Sequence, residues 1–384
     1  MKSSKKVALI VETSKAFGRG LLQSISRYAH LHGRWSLYFE ERGLDDPIPR
    51  GLSSDHFDGI ILRTRQQSQM HEILKRSIPT VCVGEDNPPG VYAVGCDEVV
   101  CSNLAAEHLL ERNFRHFGFV GISGHVWSDR RRDEFVRCIG DAGFDCSVIE
   151  PSGPNHKIET WEPIRKKLVD WMIDLPKPIG VMCCYDVIAR VVLDVCQELS
   201  ISVPEDVAVI GVDNDEVLCE VSQPPLSSVM HDTKQIGFEA AAMLDKLMRG
   251  ESVARSVIVS PSGVKTRRST DTLAIEDRAI ATALAYIRRH ACDGIEVSDV
   301  VDHVPLSRRT LERRFRDQVG HSPLAEIGQV RLKRVKQFLA ETDLKLDAVA
   351  AHSGFRNTPY MAAQFRKMFG ITPGQYRGRV QGRG

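Results

Sequence analysis

Long hydrophobic runs are absent from this 384-residue sequence. No segment approaches the roughly 20 apolar residues that a membrane-spanning helix needs. Met-Lys-Ser-Ser-Lys-Lys leads straight into a strand pattern, where a secretory leader would place its apolar region, so a cytoplasmic protein is expected. Cysteine is present ten times but never as C-x-x-C, and Cys183 and Cys184 are adjacent. That usage offers neither zinc-ligand spacing nor a disulfide framework, and it reads as reduced thiols. No metal and no cofactor are expected. The common catalytic signatures are missing too. Gly18-Arg19-Gly20 is too short for a dinucleotide loop, and Gly121-Ile122-Ser123-Gly124 lacks the spacing of a nucleophile elbow. There is no P-loop and no H-E-x-x-H, and a lone histidine such as His108 reads as structural. The expectation is a protein that is not an enzyme.

Net charge is also scarce, at +1, but it is unevenly spread. The stretch 271–384 carries 19 Lys/Arg against 13 Asp/Glu, a net +6, which leaves the stretch 1–270 at −5. A polyanion would therefore bind the C-terminal part. That part also contains a repeat. Phe315-Arg316, Gly320 and Ser322-Pro323 recur as Phe365-Arg366, Gly370 and Thr372-Pro373, with Leu311 matched by Met361. Each copy has apolar residues at helical spacing: Leu311, Phe315 and Val319, then Met361, Phe365 and Phe369. Each follows a shorter helical pattern and a tight break, at Val304-Pro305-Leu306 and at Gly354-Phe355. The pattern predicts two helix-turn-helix units joined by a helix from Pro323 to Ala340.

In the first unit Ser307 is placed to cap the second helix. Behind its buried face, Arg308, Arg309, Glu312, Arg313 and Arg316 form a face suited to a major groove, since Arg can pair with guanine and Glu can accept from cytosine. In the second unit the corresponding candidates are Arg356, Asn357, Thr358, Tyr360 and Arg366.

The N-terminal stretch, 1–270, follows a different grammar. Val7–Val11, Trp35–Phe39, Gly59–Leu62 and Thr80–Val83 read as strands, with helical spacing around Leu22 to Ala29, around Ile73-Leu74 and over 103–111. The same alternation restarts at Phe117–Gly121, with helices over 131–142, 161–170 and 187–198 and strands at 147–149, 180–183 and 207–211. Repeated β-α units imply parallel sheets with helices on both faces, and two runs in series imply two α/β lobes. The break at Ser260–Asp277 places a linker at 271–276, between an effector domain over 1–270 and a helical domain over 277–384.

Arg115 to Gly121, Arg131 with Phe135, Pro204 to Asn214, Pro225 to Val229 and Val264 to Thr270 together resemble the periplasmic-binding-protein-like effector domain of lactose-repressor-type regulators. Glu134 replaces the glycine usual in that family's R-x-x-G-F. The resemblance implies two lobes joined by three crossings, a crossing into the second lobe near Arg115, and a small ligand in the cleft. Strand-end residues that could hold a monosaccharide, a pentose such as xylose among the candidates, are Phe17, Arg19, Arg63, Trp127, Arg131, Asp186, Asp213 and Asn214. Arg donates to hydroxyls, Asp accepts from them and an aromatic face covers the C–H side. Gly18 falls at the same end. The C-terminal block, with Ser307-x3-Leu311-x3-Phe315, Gly320-His321-Ser322-Pro323, Arg331, Gly354-Phe355, Phe365-x3-Phe369-Gly370-x-Thr372-Pro373 and Tyr376-Arg377, resembles the AraC/XylS-type DNA-binding domain. Pro359 and Ala363 depart from the polar residues often found in its second reading helix.

The combined resemblance implies a sequence-specific transcriptional regulator of sugar metabolism. Its expected partners are an operator in double-stranded DNA, a monosaccharide effector, RNA polymerase and a second copy of the chain, on the nucleoid and away from membranes. Two other classes make different demands. A periplasmic sugar carrier would need a leader and no DNA domain. A sugar-processing enzyme would need two carboxylates facing the anomeric carbon.

Overall fold

Val7 to Val11 can be apolar without interruption because the strand that ends at Ile10, and the residue after it, are covered on both faces. Val7, Leu9 and Val11 pack against Leu21, Ile25, Ile236 and Leu244, while Ala8 and Ile10 pack against Ile60, Leu62, Met70 and Ile73. Alternate residues of a strand point to opposite faces, so an unbroken run serves two cores at once. The computed structural model describes residues 4–32, 35–49, 56–84, 87–88, 90–150, 161–272, 274–275 and 277–380. These part into two compact units, 1–272 and 273–384. Of the expected linker, residues 273 and 276 lie outside the described residues, as do residues 1–3 of the opening segment.

The first unit contains two six-stranded sheets. In chain order the first lobe has β1 (Lys5–Ile10), α1 (Ala16–His32), β2 (Trp35–Tyr38), β3 (Gly59–Leu62), α2 (Gln67–Leu74), β4 (Thr80–Val83) and β5 (Tyr92–Cys96). The second has α3 (Glu98–Leu110), β6 (His116–Val120), α4 (Val126–Asp141), β7 (Cys146–Ile149), α5 (Trp161–Asp174), β8 (Ile179–Cys183), α6 (Asp186–Glu198), β9 (Val207–Val212), α7 (Glu216–Val221) and β10 (Ser227–Met230). The chain then returns through α8 (Thr233–Met248) and β11 (Ser256–Val259) and crosses again to β12 (Gly263–Lys265). The sheet orders are β11-β5-β4-β3-β1-β2 and β12-β10-β9-β8-β6-β7. Every described pairing is parallel except β10 with β12.

Three details differ from the sequence reading. The lobes are interleaved and not in series: α8 packs on α1, and β11 pairs with β5, with the strands β6 to β10 of the second lobe lying between them in the chain. The crossing into the second lobe falls near Asp97, not Arg115, because α3 packs against α4 and the strands of the second sheet. And α3 starts at Glu98, ahead of the Asn103 start that helical spacing suggested. Asp97 caps it by accepting from the Val100 amide at 3.0 Å, which offsets the poor helix propensity of Val99 and Val100. The strand β5, unread in the sequence, ends at the residue before that cap.

In the second unit, α9 (Arg278–His290) starts under Asp277, whose carboxylate accepts from Ala279 and Ile280. Two cores follow. Ile280, Leu284, Ile287, Val300, Leu311, Phe315 and Val319 join α9 to α10 (Val297–Asp302) and α11 (Arg308–Val319). Val349, Phe355, Met361 and Phe365 join α13 (Leu346–His352) to α14 (Thr358–Phe369). Between them runs α12 (Pro323–Glu341), which gives Ile327 to the first core and Leu332, Val335 and Leu339 to the second. α15 (Pro373–Val380) closes the described chain. Among the described residues no helix is long and apolar enough to cross a membrane.

Candidate functional site

The carboxyl ends of both sheets in the first unit open on a cleft of about 780 Å³, counting its solvent-filled mouth. Of the residues expected there, Phe17, Arg63, Trp127, Arg131 and Asp213 line it. Arg19, Asp186 and Asn214 do not. The sequence reading missed Lys15, Arg65, Glu98, Tyr185 and His231, which do.

Arg131 is the centre of the polar wall. It is 4% exposed, projects from the first turns of α4 and donates from Nε and Nη2 to the two oxygens of Glu98, at 2.5 and 2.9 Å. Its Nη1 donates to the Cys184 carbonyl at 2.5 Å, and Trp127 lies 5.0 Å beneath the guanidinium. A buried charge survives only when paired and hydrogen-bonded in this way. Burial would raise the Glu98 carboxyl, but the Arg131 guanidinium outweighs it and holds the group below its usual range. Nη2 of Arg131 also lies 2.9 Å from His231 Nε2. A guanidinium can only donate, so this ring nitrogen accepts and the proton sits on Nδ1. Burial keeps the ring neutral by depressing its pKa. Nδ1 is buried and has no acceptor among the described residues.

Asp213 approaches His231 at 3.6 Å and sits in the left-handed region, φ 105°, followed by Asn214 at φ 50°. Such backbone is strained for residues other than glycine, and the loop is held from below. The Asn214 amide donates to Ser228 Oγ at 3.0 Å and the Asp215 amide to Asp186 Oδ2 at 2.8 Å, while Ser228 Oγ contacts Asp186 Oδ1 at 2.6 Å. Asp186 is 1% exposed and its carboxyl is pushed up to about 8, by burial first and then by Asp213. It is a buttress under the Asp213 loop. Asn214 turns its side chain to Arg267, which donates to it at 2.8 Å. Arg19 is held outside the cleft, donating to the Thr13 carbonyl at 2.9 Å and reaching Asp215 at 3.9 Å. Gly18 also lies elsewhere: a Cβ there would come within 2.0 Å of the Glu12 carbonyl, so its role is to let α1 start against β1.

On the opposite wall Arg63 stacks 4.5 Å over Phe17, with Glu12 at 3.6 Å. Phe17 meets the His231 ring edge-on at 5.8 Å, and Trp127 meets Tyr185 in the same way at 5.8 Å. Aromatic faces beside fixed donors and acceptors are what a polyol needs. Cys96, Glu98 and His231 come within 4.8 Å of one another, a spacing a metal could use. The Arg131 guanidinium already occupies Glu98 and His231, so a second cation would meet repulsion there.

In the second unit Arg309, Arg313 and Arg316 project from α11 on one exposed stripe, opposite Leu311 and Phe315. Arg308 and Glu312 pair with each other at 3.1 Å on its edge. On α14 Tyr360 is 56% exposed. Lys367, two turns on, shares its stripe, whereas Arg366 stands about 120° away by helical geometry. Asn357 caps α14 by accepting from the Tyr360 amide at 2.9 Å, Thr358 donates to Asp347 at 2.5 Å, and Arg356 pairs with Glu296. Arg331 is inward-facing and donates to the carbonyls of Ala291 and Ile295, at 2.7 and 2.8 Å.

Residues 106–270 match the family model described as a periplasmic binding protein-like domain, and residues 300–379 match a helix-turn-helix domain. The xylose operon regulatory protein of Escherichia coli (strain K12) is 31% identical to the chain, over 97% of this chain and 96% of that protein. The chain belongs to the xylose operon regulatory protein family. Within this family the counterpart from Haemophilus influenzae (strain ATCC 51907 / DSM 11121 / KW20 / Rd) is 30% identical over 97% of this chain and 98% of its own length. Among solved structures, a xylose-binding transcription activator superposes with a TM-score of 0.81 at 29% identity, covering 98% of both chains. A sugar-regulator architecture, an α/β effector domain followed by a doubled helix-turn-helix domain, is therefore common to this chain and its relatives.

Proposed function

We propose that the chain is a transcriptional regulator whose helix-turn-helix pair occupies an operator under the control of a monosaccharide held in the cleft of residues 1–272. The observation that carries the reading is the Arg131–Glu98–His231 cluster beside Asp213, walled by Phe17 and Trp127. It offers a polyol fixed hydrogen-bonding groups between two ring faces. The effector acts by binding the DNA-competent and DNA-incompetent states unequally, since equal affinity would shift nothing. Xylose or another pentose heads the neutral candidates, the relatives being named for the xylose operon. The working form is a homodimer on double-stranded DNA in the cytoplasm, with RNA polymerase as the further partner of an activator.

Hydrolytic use of the cleft is disfavoured by its carboxylates. Of the two that line it among the described residues, Glu98 is engaged by Arg131, which leaves Asp213 without a second free acid among them. The test is footprinting of the full chain on the DNA upstream of its own gene and neighbouring sugar genes, with and without a panel of sugars. Protection of two successive major-groove segments that changes with one sugar supports the reading. Sequence-independent binding that no sugar alters would sink it.

A further inference from the structure

The strained turn that carries Asp213 has a second attachment besides the buttress of Ser228 and Asp186. Arg267 Nη1 donates to Asn214 Oδ1 at 2.8 Å and to the Leu226 carbonyl at 3.0 Å, and its Nε donates to Glu220 of α7 at 2.7 Å. Only 7% of the Arg267 side chain is exposed. A planar guanidinium with several fixed donors ties the cleft loop, α7 and the approach to β10 into one arrangement.

Arg267 is also where the chain leaves the first unit. After β12 it passes through Arg267 and one 3-10 turn, Arg268–Thr270, and then through 271–277 into α9 of the second unit. One hydroxyl, that of Ser227, gathers the departing segment. It donates to the Arg267 carbonyl at 2.9 Å and accepts from the Arg267 amide at 2.8 Å, so its proton is used and the Thr270 hydroxyl, 2.7 Å away, donates to it. Thr270 Oγ1 then accepts from His108 Nε2 at 2.7 Å, and Arg112 Nε donates to the Thr270 carbonyl at 2.7 Å. His108 and Arg112 stand at the end of α3, whose first residue is Glu98, the partner of Arg131. Ser269 and Thr270 are fully buried. In a buried chain of hydrogen bonds each member strengthens the next, so losing one weakens the rest. The shortest path from the cleft to this chain is one peptide bond, Asp213 to Asn214, and one hydrogen bond, Asn214 to Arg267.

We propose that Arg267 is the positioning residue through which the cleft loop controls the DNA-binding unit. Effector on Asp213 shifts the Asp213–Asn214 turn, Asn214 changes its hold on Arg267, and Arg267 resets the segment that leads to α9. The proposal rests on the reading of the first unit as a monosaccharide-controlled effector domain and adds the route of transmission. Arg267 lines neither the cleft nor the stripe of α11, and Ser228 and Asp186 still hold the Asp213 loop without it. Its removal therefore leaves both binding sites built and cuts the link between them.

Fluorescence anisotropy with a labelled duplex from upstream of the chain's own gene would give the operator affinity of the full chain with and without saturating D-xylose, and calorimetry would give the D-xylose affinity. The ratio of the two operator affinities is the coupling factor. In Arg267→Gln it should collapse to within about twofold of unity, while the D-xylose affinity and the sugar-free operator affinity each stay within about threefold of wild type. Linkage is reciprocal, so the duplex should lose its effect on D-xylose binding by the same factor. Asn214→Gly, which suits the left-handed backbone, should lose the coupling in the same way, and Asn214→Asp, which keeps and charges the acceptor, should retain it. Asn214→Gly should add nothing to Arg267→Gln, because both cut one contact. A wild-type coupling factor in Arg267→Gln overturns the proposal and leaves the monosaccharide reading intact. Additive losses in the two variants overturn it as well, and so does loss of D-xylose binding in Arg267→Gln, which would make the residue part of the cleft's construction. If circular dichroism shows Arg267→Gln unfolded, equal coupling in Asn214→Gly and Asn214→Asp overturns it. A wild-type chain whose operator affinity D-xylose leaves unchanged overturns the proposal and the pentose reading together.

Discussion

Asp213 and Asp186 show how one motif divides its labour at the scale of single residues. Both stand at strand ends and both are legible as candidates, yet only Asp213 reaches the cleft. Asp213→Ala is expected to abolish the response to effector while DNA binding without effector persists, checked by mobility shift with and without ligand. For Asp186 the expectation concerns pH. Its carboxyl titrates at about 8 in the folded chain against an ordinary 3.8, so the folded state holds its proton more tightly than the unfolded one. The stability this contributes is complete below about pH 4 and is lost as pH rises toward 8. Asp186→Asn cannot ionise. Its unfolding temperature should therefore gain on the wild type between pH 5 and pH 9, and parallel profiles would refute the assignment. His231, Glu98 and Lys15 are not legible in the sequence, since a lone His, Glu or Lys carries no spacing. Glu98 could be found only through Asp97, the helix cap beside it.

At the scale of elements, the doubled helix-turn-helix is readable because its determinants are local: caps, breaks and a helical period. The turn of the second unit shows the constraint most sharply. Gly354 has φ +75°, and a Cβ there would come within 2.7 Å of the Ala291 carbonyl and 2.9 Å of Cys292 Cα. Gly354→Ala should destabilise the second unit by about 1–3 kcal/mol, measured by denaturant unfolding. The reading faces are unequal. Arg309→Ala and Arg313→Ala should each weaken operator binding by about 1–3 kcal/mol with relaxed sequence preference; the same loss on random DNA would assign them to phosphates. α14 offers Tyr360, Pro359 and Ala363 with Lys367 on its stripe, fewer directed donors than α11. Thr358 reads as a base contact in the sequence, but its hydroxyl is engaged by Asp347 of α13, a contact between elements that helical spacing cannot show.

For the whole molecule, coupling requires that ligand stabilise the first unit against unfolding. Effector at about 100 times its dissociation constant should add about 2.7 kcal/mol. Differential scanning calorimetry of the full chain would show that gain; an unchanged transition at saturating ligand would exclude binding to the folded state alone. The two classes of unit, their order and the family are written in the sequence, because alternating β-α runs and a repeated basic helix are properties of short segments. Which residues meet is not. β11 beside β5, the crossing at Asp97, and the alliance of Arg131 with Glu98 and His231 all join segments that lie far apart along the chain. Periodicity carries no information about such pairings. They are decided when two sheets close their carboxyl ends on one cleft, and burial then sets which charges must find partners.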